Sequence, residues 1–244
     1  MKNAVFQQRP DSTPSDKLWK NLNGLHDGFL LMVLTAVVLI SGYCLYDNWY
    51  ILSHASDANL LQYKPDSSQQ TGPSPIADGM VGWLTLDGTN IDFPVMQGES
   101  NLTFLNKNPY GEFSLSGSIF LDSRNTPDFT DTYSLIYGHH MEYGKMFGAL
   151  DAYLDKAYAD SHRNGVILIG RDGRERRHIT VFAVLRVAAR DNTVFDVEQP
   201  LPARDYIISH AEFLLGEPGE HWIVLYTCDG EDDTMRIMVV CNIE

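Results

Sequence analysis

Cysteine is scarce in this 244-residue chain. Cys44, Cys228 and Cys241 are its three, at spacings that match neither a metal-ligand pattern nor a disulfide framework. Cys44 lies in an apolar run, so Cys228 and Cys241 form the one intradomain pair to consider. On the strand assignment given below they sit near opposite ends of a hairpin, which is hard to reconcile with disulfide reach. Basic residues are scarce too: beyond Tyr46, 14 Lys/Arg face 29 Asp/Glu, a net charge of −15. Such an acidic domain argues against nucleic acid as a partner, because phosphate binding needs clustered cations. The one dense basic run, residues 171–177, brackets Asp172-Gly173, a hairpin-turn pair between two apolar stretches. Charge is low overall, 20% of residues against 44% apolar, and one domain with appendages is expected.

Long apolar stretches are confined to one place. Residues 28–46, GFLLMVLTAVVLISGYCLY, run nineteen positions without a charge. At about 1.5 Å per residue, that is enough to cross a hydrocarbon core about 30 Å thick. The run exceeds the usual apolar region of a secretory signal and no small-x-small cleavage site follows it, which argues against removal. Tyr43 before Cys44 argues against a lipoprotein cysteine. Basic residues precede the run and the next one after it is Lys64. The positive-inside tendency therefore places residues 1–27 in the cytoplasm, 28–46 in the membrane and 47–244 outside. Residues 47–79, polar and carrying Pro65, Gly72-Pro73 and Pro75, read as a stalk with a short helix around 47–62.

From residue 80 to 244 the punctuation is that of a mainly β domain. Short β-branched and aromatic runs at 83–86, 91–96, 118–121, 133–137, 166–169, 179–188, 222–227 and 235–240 predict about eight strands. Residues 145–158 and 203–215 place apolar side chains at helical spacings, predicting two inserted helices. So many short strands argue for a closed or nearly closed barrel.

Three features bear on chemistry. Cys228 stands where the apolar run Ile223-Val224-Leu225-Tyr226-Thr227 gives way to Asp229-Gly230, a place where a strand positions a side chain and a loop leaves it open. Read alone, it is more readily a small hydrophobe at a strand end. His139 and His140 end a second strand, and an extended chain would point them in opposite directions, so at most one faces the thiol. Arg236 sits within the apolar run 235–240; residues 229–234 read as a hairpin loop that brings Arg236 beside Cys228. The acidic residues 229–233 offer hard oxygens for Ca²⁺, but their spacing matches no calcium loop and a solvated turn is expected.

Together these residues resemble the sortases. Leu225-Tyr226-Thr227-Cys228, Arg236 on the following strand, Tyr137-Gly138-His139 upstream, WLTLDGTNIDFPVMQG at 83–98 and Gly117 to Asp122 occur in the family's order. The stretch from His139 to Met146-Phe147 and the helix before the cysteine strand are most similar to class B. The resemblance implies a closed eight-stranded β-barrel with inserted helices and a cysteine transpeptidase. Cys228 would be the nucleophile, His139 the proton-transfer group, Arg236 the oxyanion-side cation and Thr227 a substrate contact; His140 would confound mutagenesis. It also implies no cofactor or metal. The partners would be surface proteins with an LPXTG- or NPQTN-like sorting signal and an amine from a peptidoglycan precursor or a pilin lysine. A hydrolytic cysteine peptidase and a catalytically silent surface-binding domain are the alternatives.

Overall fold

The computed structural model describes residues 14–54, 59–65, 73–230, 232 and 234–244. The chain divides into two compact units, 1–50 and 51–244. The first is dominated by helix α1 (Pro14–His54). Its segment Lys17–Tyr50 contains an 18-residue stretch of mean hydropathy 2.3, none of it buried, and is long and apolar enough to cross a membrane. The helix thus extends beyond the predicted span at both ends. Residues 47–54, expected to open a separate stalk helix, are its last turns. Residues 1–13 of the expected cytoplasmic tail, and 55–58 and 66–72 of the expected stalk, lie outside the described residues.

In the second unit, a 3-10 turn (Leu60–Tyr63) precedes β1 (Met80–Leu86), β2 (Asp92–Met96), β3 (Ile119–Leu121) and β4 (Tyr133–Tyr137). Next come the short pair β5 (His140–Met141) and β6 (Lys145–Met146), a 3-10 segment (Phe147–Leu154), α2 (Lys156–Ser161), β7 (Asn164–Ile169) and β8 (Glu175–Ala188). A 3-10 turn (Asn192–Phe195), α3 (Pro200–His210), β9 (Phe213–Leu214), β10 (Trp222–Cys228) and β11 (Met235–Ile243) complete it. The sheet runs β11-β10-β4-β3-β2-β1-β7-β8, and β8 pairs back onto β11, closing eight strands into the predicted barrel; β9 adds to β8. The β2–β3 and β4–β10 pairs are parallel.

Side chains alternate across this wall as strand geometry requires. Leu84, Ile136, Ile167, Val184, Ile223, Leu225, Ile237 and Val239 fill the interior, where Phe147, Leu150 and Tyr153 of the 3-10 segment join them. Each such aliphatic side chain contributes about 1.5–3 kcal/mol on burial. On the outer face, Leu135, Leu185, Val224, Met238 and Val240 are covered by Val194, Ala203 and Ile207, from the Asn192–Phe195 turn and α3. Trp83, Met96, Phe120 and Leu168 form a third cluster with Leu60 and Ile76.

Residues 59–65 and 73–79, read as part of a stalk, are therefore packed on the barrel. Lys64 Nζ reaches Asp92 at 3.0 Å, and Arg171 of the β7–β8 turn donates to the carbonyls of Ser74 and Ala77. The predicted helix over 145–158 is instead a strand, a 3-10 run and a short α-helix. Phe147, Leu150 and Tyr153 are all buried, a spacing of three that matches three residues per turn. Asp155 then interrupts in an extended conformation and caps α2 by accepting from the backbone N–H groups of Ala157 and Tyr158. The other predicted helix starts earlier, at Pro200, and stops at His210. Phe213 and Leu214 leave it to pair with Val184 and Ala183.

Candidate active site

The hairpin β10–β11 sets the first pair. Cys228 and Arg236 are direct partners in its antiparallel register, so their side chains share a face with Cβ atoms about 4.5–5.5 Å apart. The face is the outer one, shared with Tyr226 and Met238. Arg236 Nη1 donates to the Met235 carbonyl at 2.7 Å.

The parallel neighbour supplies the imidazole. Tyr137 of β4 is level with Tyr226 of β10, and Gly138 N–H donates to the Tyr226 carbonyl at 3.1 Å. The ladder ends there, and two residues further along the two chains stand His139 and Cys228. Gly138 is wedged so that a Cβ there would lie 2.5 Å from both Ile119 and Phe147, which ties the turn into His139 to the barrel interior. His139 Nε2 lies 3.0 Å from the Leu105 carbonyl. A carbonyl only accepts, so Nε2 carries the hydrogen and Nδ1 is left for proton exchange. The β10–β11 hairpin thus sets a thiol beside a guanidinium at one rim, and the turn that follows β4 carries the imidazole.

Aromatic rings frame this rim. Tyr226 meets Tyr137 edge-on at 5.6 Å and Phe195 at 5.1 Å. Burial pushes the Tyr226 phenol up to about 12, with Arg236 acting in the opposite direction, so it stays protonated and neutral. The Tyr137 hydroxyl donates to Asp122 at 2.9 Å. Asp122 is fully buried and also accepts from Arg124 Nε and Nη2, both at 2.9 Å, and from Asn101 at 2.8 Å. Burial alone would raise its carboxyl, but hydrogen bonds from Arg124, Asn101 and Tyr137 hold it below the usual range.

The other expected residues are placed elsewhere. His140 pairs with Asp151 Oδ2 at 2.7 Å and lies against Gly230, two residues after Cys228, where an added Cβ would be 2.5 Å from the ring. The Thr227 side chain points inward, opposite to Cys228; it is 1% exposed and its hydroxyl has no hydrogen-bond partner among the described residues. Its hydroxyl therefore does not line the rim. In the acidic turn, Asp229 pairs with Arg186 and Asp232 accepts from Thr234, while Glu231 and Asp233 lie outside the described residues. Cys241 is opposite Ile223 at the far end of the hairpin, in no disulfide and fully buried, with its thiol pushed up to about 12 by burial. Sequence reasoning quoted Tyr137 and Asp122 within motifs but gave neither a role, although Tyr137 stands two residues before His139 and so shares its face in an extended strand. It missed Asp151 and the Leu105 carbonyl, which no local pattern marks.

The sortase domain family matches residues 84–244. Sortase B of Listeria monocytogenes is 36% identical over 147 residues, covering 54% of this chain and 59% of its own length, so the match leaves much of that relative unspanned. Among solved structures, a Streptococcus pyogenes class B sortase involved in pilus biogenesis is 34% identical, with a TM-score of 0.63, 69% of this chain covered and 94% of its own. A Staphylococcus aureus sortase B–substrate complex is 27% identical, with a TM-score of 0.59, covering 69% of this chain and 81% of its own. The barrel, the paired cysteine and arginine, and these likenesses agree: the chain belongs to the sortase family and within it is similar to class B.

Proposed function

We propose that this protein is a membrane-tethered cysteine transpeptidase that cuts a carboxy-terminal sorting signal after its Thr and transfers the new acyl end to an amine. The observation that carries the reading is the strand register that sets Arg236 opposite Cys228 and pairs Tyr226 with Tyr137, two residues before Cys228 and His139 respectively. In the first half-reaction, the Cys228 thiolate attacks the Thr carbonyl, the peptide C–N bond breaks, and His139 as imidazolium gives its proton to the departing amine. Arg236 hydrogen-bonds the oxyanion between these events. In the second half-reaction, the acceptor amine attacks the thioester, loses a proton to His139, and Cys228 is released. Thr227 enters through its main chain beside the nucleophile, since its hydroxyl faces inward. The scheme draws on no cofactor.

The signal is LPXTG- or NPQTN-like, and the acceptor is an amine of a peptidoglycan precursor. Helix α1 spans the membrane with its amino-terminal end in the cytoplasm and the barrel outside. A pilin lysine as acceptor is the second reading, supported by the likeness to the S. pyogenes enzyme of pilus biogenesis. The test is mass spectrometry of products from sorting-signal peptides with and without triglycine or a pilin-lysine peptide. A transpeptidase gives the amine adduct as the main product; water-cleaved peptide alone at saturating amine would contradict this reading in favour of a hydrolase.

A further inference from the structure

Across the barrel wall from the thiol lies a buried charge. Asp229 directly follows Cys228, its side chain is only 3% exposed, and Arg186 Nε on β8 lies 3.3 Å from its Oδ2. Register explains the meeting. Arg186 is level with Ile237, and Ile237 with Thr227, so Arg186, Thr227 and, two residues on, Asp229 all belong to the inner face. Cys228 and Arg236 occupy the outer face of the same strands.

We propose that Arg186 is a positioning residue that sets the reactivity of Cys228 by neutralising and holding the neighbouring Asp229. The inference rests on Cys228 being the nucleophile. A carboxylate this buried is costly unless paired, and removing a guanidinium partner leaves more of its charge uncompensated inside. Without the Arg186 guanidinium, that negative charge would sit one residue from the thiol less compensated and oppose its ionisation, whereas with Arg186 in place the two charges offset as seen from Cys228. Arg186 also lies 3.7 Å from Glu212, so a single guanidinium serves an acidic rim. Other charged or titratable groups lie on the elements around Cys228. Arg236 and Tyr226 share its face, His139 follows β4, Asp232 lies in the turn under the field of Arg186, and the His140–Asp151 pair meets the loop at Gly230.

The experiment measures the pH dependence of iodoacetamide alkylation at Cys228, read from its own peptide by mass spectrometry, on the detergent-solubilised full chain. Arg186→Ala raises the pH of half-maximal rate by about one unit, Asp229→Asn lowers it, and the double variant returns near wild type. If Arg186→Ala does not fold, the downward shift in Asp229→Asn decides alone. Profiles that stay in place while only thermal stability falls would overturn the proposal, as would shifts of the same sign in both single variants. Alkylation reports on the thiol whether or not sorting peptide is processed. Full peptide turnover by Cys228→Ala would instead sink the nucleophile assignment, so the two failures are distinguishable.

Discussion

The two ends of the β10–β11 hairpin carry one cysteine each, on opposite faces. Cys241, level with Ile223, is enclosed by the apolar barrel interior, and its thiol is pushed up to about 12. Cys228, level with Arg236, stands half-buried where the strands leave the barrel, with a guanidinium on its own face. The same side chain on the same hairpin is thus a core filler at one end and a candidate nucleophile at the other. Strand alternation and distance from the rim make the difference, and burial of the thiol follows from both.

The largest test of this contrast exchanges the roles. Cys228→Ala is expected to reduce sorting-peptide cleavage by about 10⁴-fold or more, to assay background. Cys241→Ala should leave kcat per folded molecule unchanged. Next, Arg236→Lys keeps the charge but loses the planar fork, and kcat should fall by about 10²–10³-fold in a steady-state assay. At the buried end, Cys241→Ser places a hydroxyl among Ile and Val side chains; a loss of about 1–3 kcal/mol by chemical denaturation is expected. Gly230→Ala sharpens the view of the rim. Its Cβ would push into the His140–Asp151 pair, lowering Tm by a few degrees through about 1–3 kcal/mol of overpacking.

The smallest effect is in pH. The Cys241 thiol is raised in the folded state, so its stabilising contribution is complete below the unfolded value of about 8.5. It is lost as pH rises from there through about 12. Cys241→Val should remove that share of the alkaline decline in a pH series of thermal melts; an unchanged decline would assign it to other groups.

Much of the hairpin is legible in the sequence. The apolar runs of β10 and β11 and the turn residues between them place Cys228 beside Arg236, and the same reading sets Cys241 apart from Cys228. Alternation also implies that Thr227 faces away from Cys228, an implication that family likeness masks. What cannot be read is what arrives from distant sequence. Asp229 meets Arg186 only because β8 closes the barrel onto β11, and Asp122 meets Tyr137 only because β3 lies against β4. The 3-10 run at Phe147–Leu154 reads as α-helix because spacings of three and four are mixed over that stretch; burial at 147, 150 and 153 selects three. Residues 59–65 and 73–79 read as stalk because their polarity hides the few side chains, Leu60 and Ile76, that dock on the barrel.

The most direct test of the central claim is to trap the thioester. The full chain in detergent is mixed with a sorting-signal peptide without amine, quenched in acid and mapped by mass spectrometry. The account predicts the acyl fragment ending in Thr attached to Cys228, with Cys241 unmodified and the adduct consumed when triglycine is added. Peptide cleavage with no adduct at Cys228, or an adduct that forms on the Cys228→Ala protein, would contradict it.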